Sequence, residues 1–597
     1  MALIVQKFGG TSVGTVERIQ SVAQRILKTV KEDNQVIVVV SAMGKTTDTL
    51  VNLANAISTK PSRREMDMLL STGEQVTISL LSMALQEIGQ SAISLTGAQV
   101  GIVTEAEYGR ARILEVKTSR IERHLNQGKV IVVAGFQGVC NQEDLEITTL
   151  GRGGSDTSAV ALAVALGASK CEIYTDVPGI LTTDPRIVPE AQLMEEITAD
   201  EMLELASLGA NVLHPRAVEI ARNYGMPLVV RSSWSDEPGT KILTPTTKPL
   251  SIEGLEITKA VDGVEFDIDQ GKVALLRVPD FPGVAARLFG EIASNDIDVD
   301  LIIQSIHEEN TNDIAFTVAE DILEKARKAV ENVAPLLRNE SEIKNQAEVS
   351  IDPKIAKVSI AGAGMIGRPG IAAKMFQTLA DAQVNIEMIS TSEVKVSCLI
   401  AQESMEISIN ALCKAFDIAS SPLSTSGVSS QSSIDTAVRG VALDKDQARL
   451  ALLNIRDQPG MAAKIFGLLS RENISVDMII QSQRCRVING VTTRDLAFTV
   501  SQDDAIAAKN ILEEIKPLLI DGEILVDQNI AKVSIVGSGM INQPGVASRF
   551  FEALAKNKIN ISMIATSEIK ISCVIDQDQS NTAVMAVHKA FNLGKLA

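Results

Sequence analysis

Residues 3–12 read Leu3-Ile4-Val5-Gln6-Lys7-Phe8-Gly9-Gly10-Thr11-Ser12. The apolar start makes a short buried strand, which breaks at once into two glycines and two hydroxyls. Adjacent glycines let the backbone approach a ligand and turn successive N–H groups toward it, which suits phosphate oxygens. Lys7 adds a compact positive charge able to reach a transferring phosphoryl group. From Thr15 to Lys28, Ile19, Val22, Ala23, Ile26 and Leu27 recur at three- and four-residue spacing, so a helix starts facing the same place. A glycine turn between strand and helix is common and does not define a site alone.

Working outward, apolar runs alternate with helical patterns as far as about residue 245. The runs at 35–40, 129–134 and 171–175 are continuous rather than alternating, as in strands covered on both faces. The segments 69–85 and 158–166 carry helical spacing. That predicts an α/β/α layered domain with a mostly parallel sheet, whose ligands bind beyond the carboxyl ends of the strands. Four more loops carry chemistry there. Val38-Val39-Val40-Ser41-Ala42-Met43-Gly44 runs on into Lys45, Thr46, Thr47 and Asp48. Ser71-Thr72-Gly73-Glu74 reads as a helix entry with an acid. Gly151-Arg152-Gly153-Gly154-Ser155-Asp156-Thr157-Ser158 gathers a guanidinium, glycines, hydroxyls and a carboxylate at one helix start. Tyr174-Thr175-Asp176-Val177-Pro178-Gly179-Ile180 leads to Thr182-Thr183-Asp184-Pro185-Arg186. Any one of these acids or hydroxyls has a bland reading as a helix cap or a turn.

A chain of 597 residues exceeds a single core, so several domains are expected. The net charge of −18, without a basic cluster, argues against nucleic acid or an anionic membrane as partner. Aromatics at 3% leave no stacking platform for bases, and four scattered histidines leave little room for a histidine metal site or triad. Six cysteines show no CxxC pair, as in a reduced, cytoplasmic protein; Cys398 and Cys573 sit in apolar strand patterns and read as core. No secretory signal or membrane-spanning run is read. GxxxxGK[ST] and protein-kinase signatures are absent. Gly362-Ala363-Gly364-Met365-Ile366-Gly367 matches a dinucleotide pattern, but its second copy, Gly537 to Asn542, lacks the third glycine, and both read as turns.

Lys-Phe-Gly-Gly-Thr-Ser, Val-Ser-Ala-Met-Gly, Ser-Thr-Gly-Glu, Gly-Arg-Gly-Gly-Ser-Asp-Thr-Ser and the Thr-Asp-Val-Pro-Gly to Asp-Pro-Arg segment together resemble aspartate kinase, in that family's order, over residues 1 to about 240. The resemblance implies the amino-acid kinase sandwich, over 1–246. It also implies transfer of the ATP γ-phosphoryl to the β-carboxylate of L-aspartate, with Mg2+ carried by the nucleotide and no metal site of the chain's own. Under it, Lys7, Gly10 and Asp156 are catalytic. Thr47, Glu74, Arg152, Gly153, Gly154 and Ser155 hold the substrate. Lys7, Phe8, Gly9, Gly10, Thr11, Ser41, Thr175, Asp176, Asp184, Arg186 and Asn211 hold the nucleotide. Asn211 stands where many relatives have lysine and Leu181 where many have tyrosine.

After about Thr247 the chain repeats. Asp280-Phe281-Pro282-Gly283-Val284-Ala285-Ala286-Arg287-Leu288-Phe289 recurs 177 residues on, from Asp457 to Phe466, and Ala356-Lys357-Val358-Ser359-Ile360 recurs at Ala531 to Ile535. Within each copy the plan repeats again, giving four βαββαβ modules in two tandem pairs. The expected bounds are 264–340, 354–419, 441–520 and 529–597, with a Ser/Thr-rich linker at 420–440. These modules resemble ACT domains. The loop before each first helix offers N–H groups to a ligand carboxylate. Effector sites are therefore expected in the first tandem pair at Asp280, Gly283, Val284, Ala285, Gln304, Asn385 and Ile386, and in the second at Asp457, Gly460, Met461, Ala462, Gln481, Asn560 and Ile561. The family resemblance implies inhibition by lysine or threonine, and a homodimer is expected. Other readings are a related kinase of another amino-acid carboxylate and a catalytically weak amino-acid sensor; a fused dehydrogenase is not expected.

Overall fold

Asn34–Val40 shows why the first half is layered. Val36 to Val40 are each at most 1% exposed, so the strand is covered on both faces. The computed structural model describes residues 1–140, 145–151, 153–208, 212–245, 254–256, 260–306, 311–337, 347–365, 368–418, 437–541 and 543–594. They fall into two compact units: Met1–Leu181, Leu193–Ala206 and Asn211–Thr258 form one, and Thr182–Gln192, Ser207–Ala210 and Lys259–Ala597 the other. Most of the expected linker, 420–436 of 420–440, lies outside the described residues.

The first unit is built on an eight-stranded sheet. Its order is Glu196–Thr198, Thr240–Leu243, Leu228–Ser232, Lys170–Thr175, Ala2–Phe8, Asn34–Val40, Val130–Ala134, Ala92–Leu95. Every pairing along it is parallel except Leu228–Ser232 with Thr240–Leu243. Val16–Lys31 buries Ile19, Val22, Ala23 and Ile26; the Thr15 hydroxyl caps it by accepting from the Arg18 N–H, with Glu17 in the first turn and Lys28 and Lys31 in the last. Gly154–Ala165 is buried from Gly154 to Ala163, with Ser155, Asp156, Thr157 and Ser158 at its start and an apolar remainder. A small four-stranded sheet (Ile113–Val116, Ile102–Thr104, Gln137–Cys140, Ile147–Thr149) stands beside it.

The second unit holds the four modules. In module one, Gly263–Pro279, Val284–Ser294, Ile302–Ile306, Thr311–Val318 and Leu323–Val333 run strand, helix, strand, strand, helix. The last strand comes from the beginning of Glu348–Ala361, while the end of that strand opens module two and pairs with the beginning of Gly263–Pro279. Each of these two long strands therefore serves two modules. A ten-stranded sheet results, in which Ile302–Ile306 of module one joins Met563–Ser567 of module four. Module three builds its own five-stranded sheet.

Aromatic packing shows which modules are partners. Phe289 of module one meets Phe551 of module four at 5.3 Å between ring centroids, and Phe376 of module two meets Phe466 of module three at 5.4 Å. The pairs in space, one with four and two with three, cut across the tandem pairs in sequence. Cys398 and Cys573 are buried strand residues, as expected, and Ala363–Met365 and Ser538–Met540 are single 3₁₀ turns.

Candidate functional site

The carboxyl ends of Ala2–Phe8 and Asn34–Val40 open on a cavity of about 800 Å3 within the first unit. Lys7, Ser41, Thr47, Glu74, Gly153, Gly154, Ser155 and Asp156, distant in sequence, all line it. Lys7 Nζ stands 2.6 Å from Asp156 Oδ1, an ion pair set off the angle of a hydrogen bond. Both side chains are largely buried, at 12% and 9% exposure, so their attraction is poorly screened. The Ser41 hydroxyl donates to Ser155 Oγ at 3.0 Å.

Glu74 is 3% exposed. Its Oε1 accepts the Ala42 N–H at 3.1 Å, while Oε2 is buried without a partner. Burial lifts its carboxyl from the usual carboxylate range to about 7. An unpartnered acid oxygen in a polar cavity is a seat for an ammonium group.

Two glycines set the backbone of the site. At Gly10 a Cβ would lie 2.8 Å from the Ala42 carbonyl oxygen, and the Gly44 N–H donates to Gly10 O at 3.0 Å, so two loops are locked together without room for a side chain. Gly153 has φ +72° and would drive a Cβ to 2.3 Å from the His214 ring. Among the described residues, the N–H groups of Gly10 and Thr11 take no hydrogen bond and are available to an anion.

The structure corrects two of the expected nucleotide contacts. Phe8 is fully buried and stacked on Tyr174 at 4.6 Å, because it alternates with Lys7 along the strand and points into the core. The Gly9 N–H donates to the Tyr174 carbonyl at 3.3 Å and so serves the sheet. Thr175 Oγ1 donates to Asp176 Oδ1 at 3.2 Å; neither residue lines the Lys7 cavity. Asp184 and Arg186 belong to the Thr182–Gln192 segment of the second unit, where Asp184 grips the guanidinium at 2.7 Å and is held below the usual carboxylate range by it. Arg152 and Asn211 lie outside the described residues.

Sequence reasoning passed over two braces. Buried Asp67 accepts from Thr149 N at 2.8 Å, Thr149 Oγ1 at 2.7 Å and Gly109 N at 2.9 Å, fixing the strand that leads into the glycine loop. Arg216 ties Glu256 at 2.8 Å to the Leu150 carbonyl just ahead of that loop. Both act across long sequence separations, so no local pattern announces them.

In the second unit, two pockets follow one plan. Asp280, Gly283, Val284, Ala285 and Gln304 of module one meet Asn560 and Ile561 of module four. Asp457, Gly460, Met461, Ala462 and Gln481 of module three meet Asn385 and Ile386 of module two. Asp280 Oδ1 accepts from Asn560 Nδ2 at 2.8 Å, and Gln304 Nε2 donates to the Ile561 carbonyl at 2.7 Å. In the Asp457 pocket the carboxylate is already occupied, Arg494 Nε donating to it at 2.9 Å. A wider cleft of modules one, two and four, not foreseen, is lined by Asp298, Asp300, Lys357, Lys395 and Glu568, and burial raises the Asp298 carboxyl to about 6.

This sheet, this loop cluster and these modules define a class: an amino-acid kinase domain followed by ACT domains. The amino acid kinase family model matches residues 2–232; ACT-domain models match 272–335, 358–416, 453–515 and 533–591. The aspartokinase of Bacillus sp. (strain MGA3) is 52% identical over 421 residues, 70% of this chain and 98% of that protein. Aspartokinase 2 of Bacillus subtilis (strain 168) is 51% identical, over 71% of this chain and 99% of its own. The crystal structure of aspartate kinase from Synechocystis is 64% identical, covers 99% of this chain and 98% of that one, and superposes with a TM-score of 0.87. The chain belongs to the aspartokinase family.

Proposed function

We propose that the first unit transfers the γ-phosphoryl of ATP to the β-carboxylate of L-aspartate and that amino acids bound at the ACT modules inhibit it. The observation that carries the reading is the shared cavity of the Lys7–Asp156 pair and the unpartnered Glu74 oxygen. The nucleophile is ionised at neutral pH, with a pKa of about 3.9, so no general base is needed and catalysis rests on alignment and charge. Lys7 meets the developing charge on the phosphoryl oxygens, while Gly10 and Thr11 offer N–H donors. Glu74 takes the substrate ammonium, Arg152 its α-carboxylate, and Thr47, Gly153, Gly154 and Ser155 close around it. Ser41, Thr175, Asp176 and Asn211 are assigned to the nucleotide. Mg2+ carried by the nucleotide would supply charge neutralisation on the phosphates, with Asp156 orienting Lys7 or the metal-bound phosphates.

Lysine and threonine are the inhibitors this reading takes, seated with the carboxylate on the module helix starts. Inhibition is then a coupling free energy between distinct sites. A cytoplasmic homodimer is the assembly. Its support is the apolar stripe Val76, Leu80 and Met83, exposed along one face of Thr72–Glu87. The test is ADP release with ATP, Mg2+ and L-aspartate, repeated with lysine and threonine singly and together. Aspartate-dependent turnover that falls with an added amino acid is the expected result. Turnover with another carboxylate, or none, would overturn the substrate.

A further inference from the structure

The two pockets of the second unit are copies in backbone but not in charge. The strand of module one reads Thr311-Asn312-Asp313-Ile314-Ala315-Phe316-Thr317-Val318, and that of module three reads Thr493-Arg494-Asp495-Leu496-Ala497-Phe498-Thr499-Val500. Asn312 pairs with Val278 and Arg494 with Ile455, and Val278 and Ile455 stand at the same place in the two copies. Asn312 and Arg494 are therefore one structural position occupied by a neutral amide and by a guanidinium.

The consequence at the pocket carboxylate is direct. Asp280 receives Asn312 Nδ2 at 3.0 Å and Asn560 Nδ2 at 2.8 Å, both on Oδ1. Among the described residues its Oδ2 takes no hydrogen bond and no ion pair. Arg449, a cation whose charge Asp280 favours, is itself held by Asp527 at 3.1 Å. Asn312 Oδ1 is buried and also without a partner. This pocket thus presents two open acceptors and an unneutralised charge, which suits a primary ammonium.

In the other pocket both oxygens are taken. Arg494 Nε donates to Asp457 Oδ2 at 2.9 Å, and Asn385 Nδ2 to Oδ1 at 3.2 Å. The Cys485 thiol approaches Oδ2 at 3.5 Å, and Arg494 Nη1 is anchored on the Glu387 carbonyl at 3.3 Å. The pair is buried, with 9% and 10% of the side chains exposed. An incoming ammonium meets a neutralised carboxylate and must displace a buried guanidinium, leaving that charge without its partner.

We propose that Asn312 and Arg494 set the ligand selectivity of the two pockets: the Asp280 pocket takes the ammonium of a zwitterionic amino acid, and the Asp457 pocket rejects it while Arg494 is in place. This rests on the reading that the Asp280 pocket seats an amino acid. One position thereby turns two copies of a site into two different receptors.

The test is calorimetric titration of the full chain with L-threonine and with L-lysine, each alone. Asp280→Ala first locates the event belonging to the first pocket. N312R is expected to reproduce its loss, weakening that event by about tenfold or more, since it imports the neutralising cation. R494N is expected to add a binding event absent from the wild type, abolished by adding Asp457→Ala; R494K keeps the cation and is expected to add none. A far-UV circular dichroism spectrum and an unfolding midpoint close to wild type in each variant report that the chain is folded. If Asp280→Ala leaves binding of both amino acids unaltered, the seating itself is refuted. If Asp280→Ala abolishes an event that N312R preserves, or R494N adds nothing, the selectivity inference falls while the seating stands.

Discussion

Glu74 gives the sharpest quantitative test of the active-site reading. Its carboxyl titrates near 7 because it is buried with one oxygen unpartnered. At pH 7 about half the ligand-free molecules therefore carry a proton there, about nine-tenths at pH 6 and about one-tenth at pH 8. An ammonium seated against Oε2 favours the ionised form, so aspartate binding must release that proton. Titration calorimetry of aspartate in buffers of different ionisation enthalpy counts the protons: about 0.9 at pH 6, 0.5 at pH 7 and 0.1 at pH 8. Glu74→Gln keeps the shape and removes the titration, so its heat becomes buffer-independent, with aspartate affinity at least about tenfold weaker. Folding carries the same signature. A carboxyl raised from 4.5 to about 7 costs stability as pH climbs through that window, on the order of 3 kcal/mol once it is fully ionised. The Gln variant is expected to be more stable than wild type above pH 7 and to lose the difference near pH 4. Proton release that is flat with pH, or that persists in Glu74→Gln, would refute the placement of the substrate ammonium.

Lys7→Ala is expected to lower kcat by about 10²- to 10³-fold with a much smaller change in KM for aspartate, measured by coupled ADP release. Gly153→Ala forces a side chain onto the His214 ring from a left-handed backbone, so both activity and the unfolding midpoint should fall. Leu81→Ala, in a fully buried position of Thr72–Glu87, should cost about 2–5 kcal/mol in denaturant unfolding while leaving KM values near wild type. Asp67→Asn should loosen the strand before the glycine loop, raising KM for aspartate more than it lowers stability at pH 7.

The layered sheet was legible because Val36 to Val40 and Val130 to Ala134 are apolar on both faces, which only a covered parallel strand requires. The loop cluster was legible because glycines, hydroxyls and paired charges rarely gather at strand ends without a ligand to hold. Phe8 misled because motif membership says nothing of which face a strand residue takes; its place beside Lys7 sends it to the core. Asp67 and Arg216 were invisible because their partners, Thr149 and Leu150, are joined to them only by folding. Arg494 was written in the repeat all along. Comparing Thr-Asn-Asp with Thr-Arg-Asp exposes it, but its effect on Asp457 depends on a register that only the structure supplies. Module pairing was the largest surprise, since adjacency in sequence suggested partners that the sheet does not adopt.

That crosswise pairing has a thermodynamic consequence for how the response scales. Asp280 comes from the first copy of the repeat and Asn560 from the second; Asp457 comes from the second and Asn385 from the first. In this arrangement neither pocket is made from one copy alone. Placing both copies on a single polypeptide replaces a bimolecular encounter by a tethered one, with an effective local concentration in the millimolar range or above. Occupancy of the pockets then depends on the ligand and not on how much protein is present, and dilution of the chain should leave the inhibition curve where it was.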